Sequence, residues 1–131
     1  MLYLDSSAIV KLVAREPETP ALVEAVRADP AAISSALAWT EVVRAVTRAR
    51  GRVARAHAVV EGIALVPIDD GIIREAAMLQ PSVLRTLDAI HLATALSLGG
   101  ELGTLITYDG RLADAATTAG IEVAVPGVVA G

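Results

Sequence analysis

The sequence predicts an α/β domain with a mainly parallel sheet and right-handed crossover connections. Short runs of branched apolar residues alternate with longer segments whose apolar residues recur at helical spacing, which is typical of consecutive strand and helix units. A length of 131 residues suits one domain, expected over 1–131, and an apolar content of 54% is ample for one continuous core. No internal repeat or low-complexity segment interrupts the alternation.

The first half of the chain is predicted to hold two strands and four helices. Both strands run into a helix through residues that cap helices well, Asp5-Ser6-Ser7 and Ser34-Ser35. Pro17 and Asp29-Pro30 end the first two helices, because proline interrupts helical hydrogen bonding and disfavours the helical conformation in the residue before it. Gly51 separates the other two helices. In order, these elements are strand 2–4, helix 8–13, helix 19–28, strand 31–33, helix 37–48 and helix 52–61.

The second half is predicted to hold three strands and three helices. Its strands are apolar runs bounded by proline or glycine, and Asp69-Asp70 caps the first of its helices. The helix that contains Asp88 is apolar on nearly every side, which predicts a buried helix, and it ends at Gly99-Gly100. In order, these elements are strand 63–68, helix 71–79, helix 86–98, strand 102–107, helix 109–118 and strand 121–125.

The composition excludes several kinds of protein. There is no cysteine, so a disulfide framework and thiolate metal sites are ruled out, and any metal must be held by oxygen or histidine. No apolar run reaches the roughly 18 residues that span a bilayer, and no basic leader precedes the first strand, so we expect no membrane segment and a cytoplasmic protein. No glycine-rich phosphate loop is present, so we expect no nucleotide cofactor.

The charge distribution leaves nucleic-acid binding open. The formal net charge is -4, which is unusual for a protein whose affinity comes from phosphate contacts. Five arginines nevertheless lie in one short segment, at positions 44, 48, 50, 52 and 55. This segment is either a contact surface for RNA or a partner, or simply a solvated helix face.

Two acidic residues lie where ligands bind in open parallel sheets. Asp5 directly follows the first strand, and Asp109 follows the strand that ends at Thr107. The carboxyl ends of parallel strands share one edge, so we expect these two side chains at the same edge. Either residue alone could serve only as a helix cap.

Asp88 and Glu41 are the other two candidates. Asp88 is a carboxylate in an apolar helix, where its charge must be compensated by a cation, by hydrogen-bond donors or by protonation. The alternative is a first-turn residue satisfied by the helix dipole and Thr86. Glu41 could form only a surface pair with Arg44. A shared site explains all four acids together.

Converging carboxylates cannot all ionise without a counter-charge, and a divalent cation supplies one. Oxygen ligands favour Mg²⁺ or Mn²⁺, which suit the hydrolysis of a phosphodiester bond by an activated water. Glu41 is then a candidate to accept a proton or to hold the water. Ser6 and Thr107 are hydroxyls beside two of the acids and could hydrogen-bond a water in the site, although as cap and strand residues they need no such role.

The remaining polar and aromatic candidates are expected to be structural. His57 and His91 lack the spacing of a zinc site, so each is predicted to be a surface or core histidine. Trp39 is predicted to anchor the core or a partner interface rather than to stack on a base.

At four places the chain resembles PIN-domain ribonucleases and, among them, VapC-type toxins of bacterial toxin-antitoxin modules. The resemblance implies a three-layer α/β/α fold with a central, mainly parallel five-stranded sheet, in which Asp5, Glu41, Asp88 and Asp109 match the acidic quartet of the family. Asp5 and Asp88 match direct metal ligands, whereas Glu41 and Asp109 match residues that bind metal through water or organise the nucleophile. The matching segments are residues 2–8 (LYLDSSA), 39–42 (WTEV), 84–93 (LRTLDAIHLA) and 107–109 (TYD) with Arg111-Leu112 behind it.

The resemblance also implies an RNA substrate, a homodimer, and a cognate antitoxin whose C-terminal segment lies across the active site. The main hypothesis is therefore a Mg²⁺- or Mn²⁺-dependent endoribonuclease that acts as a toxin. The competing hypothesis is a non-catalytic RNA-binding or scaffolding domain with the same fold. An intact acidic quartet argues against it, because a negative cluster repels phosphate. A phosphatase-like hydrolase with Asp5 as nucleophile is disfavoured, since position 7 is a serine.

Overall fold

A computed structural model describes residues 1–128, so the last three positions of the expected domain, 129–131, lie outside the described residues. Within 1–128, no helix is both long enough and apolar enough to cross a membrane. The strands are β1 (Leu2–Leu4), β2 (Ala32–Ser35), β3 (Ala64–Val66), β4 (Thr104–Ile106) and β5 (Val123–Ala124). The helices are α1 (Ser6–Val13), α2 (Thr19–Ala28), α3 (Leu37–Arg48), α4 (Val53–Glu61), α5 (Asp70–Met78), α6 (Thr86–Ser97) and α7 (Gly110–Thr118).

Each helix and strand predicted from the sequence overlaps one in the structure, and one predicted cap is different. Ser34 and Ser35 were expected to precede α3 but form the end of β2, where they pair with Leu65 and Val66 of β3. Both serines are fully buried, so the sheet takes them up as strand residues. Only Ser35 also serves the helix, because its hydroxyl accepts from the Leu37 N–H at 3.1 Å.

The five strands form one sheet in the order β3-β2-β1-β4-β5, and every neighbouring pair is parallel. The predicted parallel α/β sheet is therefore confirmed. β1 lies at the centre, with Leu4 at its end in register with Ile106 at the end of β4. Because these strands are parallel, the residues that follow Leu4 and Ile106 emerge side by side at the carboxyl edge of the sheet.

Two apolar cores lie on the two faces of this sheet and produce the predicted three layers. Successive side chains of a strand point to opposite faces. Accordingly, Leu2 and Leu4 pack in one core with residues of α1, α2, α3 and α4, whereas Tyr3 packs in the other with residues of α6 and α7. The central strand is thus covered on both faces, and its carboxyl end is held in a fixed position between the layers.

Candidate active site

Asp5 lies in the turn from β1 to α1, and neutral donors surround it. Its Oδ1 accepts from the Ser7 hydroxyl at 2.6 Å and from the Ala8 N–H at 3.0 Å, so Asp5 caps α1. Its Oδ2 accepts from the Thr107 hydroxyl at 2.5 Å. Asp5 is only 4% exposed, and burial raises the pKa of its carboxyl despite these hydrogen bonds. The bond from the Ala8 N–H is the helix cap, and the other two donors are hydroxyls. None of the three groups that donate to Asp5 carries a positive charge.

Glu41 lies in the second turn of α3 and reaches α1 and α6. Its Oε1 accepts from the Ser6 hydroxyl at 2.6 Å and from Nε2 of His91 at 2.6 Å. Burial acts to raise the pKa of Glu41, but the hydrogen bonds from His91 and Ser6, with the positive charge of Arg85, lower it below its usual value. Glu41 therefore stands beside the Asp5 turn, and the interpretation of Glu41 as only a surface partner of Arg44 is wrong.

His91 joins Glu41 to the central strand. Its ring is 2% exposed, and Nδ1 lies 2.7 Å from the Tyr3 hydroxyl. Burial raises the pKa of Tyr3, which keeps its hydroxyl protonated and able to donate to Nδ1. The ionised carboxylate of Glu41 can only accept, so the hydrogen-bond partners assign the ring proton to Nε2. His91 is a buried histidine, as predicted, but it is also part of the site.

Arg85 bridges the other two acids. Its Nε donates to Asp88 Oδ2 at 2.9 Å, and Nη2 donates to Asp109 Oδ2 at 2.6 Å. Asp109 also caps α7, because its Oδ1 accepts from the N–H groups of Arg111 and Leu112. The side chain of Asp88 is only 13% exposed, and it forms an ion pair with Arg85. The alternative expectation, that Thr86 satisfies this carboxylate in the first turn of α6, did not include the arginine. The ion pair keeps Asp88 beside another acid, since one guanidinium holds both carboxylates.

The site residues fit a hard divalent cation by their chemistry. They offer carboxylate and hydroxyl oxygens, the ligands that Mg²⁺ and Mn²⁺ prefer. Within residues 1–128, no three Asp, Glu or His side chains are already gathered as a ligand set. The guanidinium of Arg85 supplies the positive charge between Asp88 and Asp109, so a cation bound by both would replace it there.

The predicted basic segment is divided between two grooves. Arg44 and Arg48 are exposed and line a groove beside Glu41, together with Ser6 and Leu87. Arg52 and Arg55 line a second, neighbouring groove together with residues of α1 and α2. Arg55 is also structural, because its guanidinium donates to the carbonyl oxygens at the end of α1, Leu12 at 3.1 Å and Val13 at 3.0 Å. Only part of the segment therefore adjoins the acidic site.

Trp39 and His57 lie away from the acidic site. Trp39 is 38% exposed, and its ring stacks on that of His57 with centroids 5.0 Å apart. Trp39 is therefore not a core anchor, because α3 turns Ala38, Val42 and Val46 inward instead. A role for Trp39 in a partner interface stays a prediction. His57, expected to be a surface or core histidine, is half-buried beneath this stacked ring.

Sequence reasoning missed three contributors to the site, namely Arg85, His91 and Tyr3. Arg85 precedes Asp88 by three residues and His91 follows it by three, which places both near Asp88 on one side of α6. That spacing was an available signal. The contact between Tyr3 and His91 joins residues 88 positions apart, and no local pattern indicates it.

Several known proteins are similar to this chain in sequence or in fold. A family model described as PIN domain matches residues 2–117. Ribonuclease VapC46 of Mycobacterium tuberculosis (strain ATCC 25618 / H37Rv) is 50% identical over an alignment of 131 positions. The alignment covers 95% of this chain and 97% of that protein. Two solved structures are similar in fold. One is a toxin-antitoxin complex from Klebsiella pneumoniae, with TM-score 0.68, 24% identity and coverage of 85% and 88% of the two chains. The other is VapC20 of Mycobacterium tuberculosis, described as a Sarcin-Ricin loop cleaving toxin, with TM-score 0.70, 15% identity and coverage of 88% and 95%.

Replacing Thr107 by valine tests the hydrogen bonds of the Asp5 turn. The change removes the hydroxyl that donates to Asp5 and accepts from the Asp109 N–H, and it leaves a buried carboxylate oxygen and a half-buried N–H without these partners. We expect the free energy of unfolding to fall by about 1–3 kcal/mol, measured by urea denaturation. Thr117→Val is the matched control, because its hydroxyl is exposed and only bonds a carbonyl of its own helix, so its effect should stay within about 0.5 kcal/mol. Equal losses in the two variants would contradict this account.

Proposed function

This chain belongs to the PIN domain family, and we propose that it is a metal-dependent endoribonuclease that acts as the toxin of a toxin-antitoxin pair. One observation carries the proposal. Asp5, Glu41, Asp88 and Asp109 lie along the carboxyl edge of the parallel sheet, connected through Ser6, Thr107 and Arg85. The relative at 50% identity is named a ribonuclease, and the fold neighbours are toxins or toxin complexes.

We assign distinct roles to the four acids. Asp5 and Asp88 are proposed to hold a Mg²⁺ or Mn²⁺ ion directly, and Asp109 is proposed to support it through water. Asp5 suits this role because it is a buried carboxylate whose direct donors are neutral. Asp88 and Asp109 suit their roles because both already bind one positive group, the guanidinium of Arg85. Such an ion would polarise the phosphate and a water for hydrolysis.

Glu41 is proposed to accept the proton of the attacking water. Its Oε1 is occupied by Ser6 and His91, which leaves Oε2 to receive a further hydrogen bond. The lowered pKa of Glu41 keeps its carboxylate ionised at neutral pH, so Oε2 carries no proton and can accept a hydrogen bond from a water. Ser6 orients Glu41, and Thr107 holds both Asp5 and the turn that carries Asp109. Both hydroxyls thus support acids, which is the simplest role for them in the reaction.

The proposal includes the partners that the family implies. The substrate is RNA, the cognate antitoxin places its C-terminal segment across the active site, and the chain forms a homodimer in the cytoplasm. An antitoxin partner is supported by the fold neighbour that is a toxin-antitoxin complex. We also propose that residues 1–131 form one domain, which is supported by the single sheet that joins all five described strands.

Asparagine at position 5 or 88 tests the catalytic assignment. We expect Asp5→Asn and Asp88→Asn to lower RNA cleavage by at least about 100-fold, because each removes a charge proposed to hold the cation. Asparagine is also a good helix cap, so circular dichroism of the Asp5→Asn variant should show an intact fold with α1 still capped. Cleavage is measured with Mg²⁺ or Mn²⁺, with EDTA as a metal-removal control. Asp70→Asn, an exposed carboxylate on α5, should cleave as the unmodified chain does.

Two outcomes would contradict this assignment. Cleavage at the unmodified rate by Asp5→Asn or Asp88→Asn would remove these residues from the active site. An unmodified chain that binds RNA but does not cut it with either ion would favour the competing non-catalytic domain.

Reversal of charge at Arg48 tests whether the groove beside Glu41 binds RNA. In an Asp88→Asn background, which prevents cleavage, Arg48→Glu should weaken RNA binding and reduce the salt dependence of affinity by about one phosphate contact. Arg52→Glu makes the same charge change in the second groove and should affect binding less. Equal affinities for the Arg48 variant and its parent would show that Arg48 belongs to a solvated face.

A further inference from the structure

We propose that Tyr3 and His91 form a positioning relay that fixes Glu41, with the Tyr3 hydroxyl donating to Nδ1 of His91 and Nε2–H of His91 donating to Glu41. This inference rests on the proposed function, since it concerns the proton acceptor of that same site. It adds two residues that touch neither the phosphate nor the cation. They act through Glu41 and are positioning residues rather than catalytic ones.

The relay begins at the centre of the sheet. Tyr3 is the middle residue of the central strand and is 0% exposed. It pairs with Ile33 on one side and Leu105 on the other, so its backbone is held by two neighbouring strands. Its ring meets the ring of His91 edge to face, with centroids 5.9 Å apart. The hydroxyl of Tyr3 is therefore a fixed reference point for the imidazole.

The relay ends on a side chain that needs to be fixed. A glutamate has several rotatable bonds, and ordering it in one conformation costs rotamer freedom. The Glu41 side chain is 23% exposed and lies at the rim of an open groove. A donor from α1, Ser6, and a donor from α6, His91, both bind Oε1 and so orient the other oxygen. Two helices and the central strand thereby determine where Oε2 points.

The contact with Tyr3 also selects the tautomer of His91. With Nδ1 accepting from a hydroxyl, the ring proton of a neutral imidazole lies on Nε2, facing Glu41. With the proton on Nδ1, two acceptors would face each other at 2.6 Å. The hydrogen bond made by one ring nitrogen of a histidine sets which form the other nitrogen takes. Loss of such a partner from a metal-ligating histidine typically costs about 10–100-fold in metal affinity or activity, and we expect a cost of the same order for a histidine that orients a proton acceptor.

The first arm of the experiment reads the tautomer directly and needs neither substrate nor metal ion. The chain of 13.5 kDa holds two histidines, so nitrogen-15 NMR of the imidazoles is practicable, and His57→Gln assigns the signals. We expect His91 in the unmodified chain to carry its proton on Nε2, with Nδ1 unprotonated. Tyr3→Phe keeps the buried ring but removes the hydroxyl, so the Nδ1 signal should move toward that of an imidazole nitrogen without a hydrogen bond, while Glu41 keeps the ring proton on Nε2. A proton on Nδ1 in the unmodified chain would overturn the proposal.

The second arm separates positioning from packing. His91→Gln keeps an N–H donor toward Glu41, whereas His91→Met fills a similar volume without one. We expect His91→Met to lower kcat for RNA cleavage by about 10–100-fold with little change in KM, and His91→Gln to recover most of that loss. His57→Gln, on the surface of α4, is the matched control and should have no effect. Equal losses for the Gln and Met variants would overturn the proposal, because packing alone would then explain them.

The two arms also distinguish this proposal from the proposed function. If the unmodified chain cleaves no RNA, the ribonuclease assignment fails, while the nitrogen shifts still show whether Tyr3 and His91 are ordered as stated. If it cleaves RNA and Nδ1 carries the proton, only the relay fails. Should His91→Met not fold, Tyr3→Phe takes its place in the kinetic comparison, and an unchanged kcat in that variant would count against the relay.

Discussion

The need to compensate partly or fully buried acidic side chains near one edge of the sheet is the constraint on which the rest of this structure depends. The negative charge of each carboxylate is compensated by different groups. Asp5 receives three neutral donors, Glu41 receives a serine and a histidine, and Asp88 shares Arg85 with Asp109. This compensation is incomplete at Asp5, where burial still raises the pKa. A site arranged in this way favours the binding of additional positive charge.

The fold and the site use the same residues. Asp5 and Asp109 cap α1 and α7, so two of the helices that cover the sheet begin at acids of the candidate site. Thr107 connects these two caps, because its hydroxyl donates to one acid and accepts from the backbone of the other. Serving as a helix cap therefore does not prevent either acid from belonging to the candidate site. The cap engages one oxygen of each carboxylate, and the second oxygen bonds another group of the candidate site, Thr107 for Asp5 and Arg85 for Asp109.

Local patterns in the sequence were sufficient for the elements and for the acids that follow strands. Asp5 and Asp109 were found because strand ends in a parallel sheet share an edge, and the β/α alternation was evident from residue periodicity. The prediction for Ser34 and Ser35 was wrong because hydroxyl residues signal a cap, whereas pairing with β3 extended the strand through them. Arg85 and His91 were missed because their roles depend on contacts with Asp109, Tyr3 and Glu41, which only tertiary packing brings close.

The most direct test of convergence is the effect of Mn²⁺ on the backbone amide signals of the chain, since this paramagnetic ion broadens nuclei near its binding site. Titration should broaden the amides of Ser6, Asp88 and Gly110 together, because they lie at or beside three of the proposed acids. The amides of Gly100 and Gly103 should broaden least, because they lie beyond the far end of α6 and beside Met1, at the amino ends of β1 and β4. An excess of Mg²⁺ should restore the signals. Broadening confined to other acidic surfaces, or none at millimolar Mn²⁺, would contradict the claim that these carboxylates form one cation site.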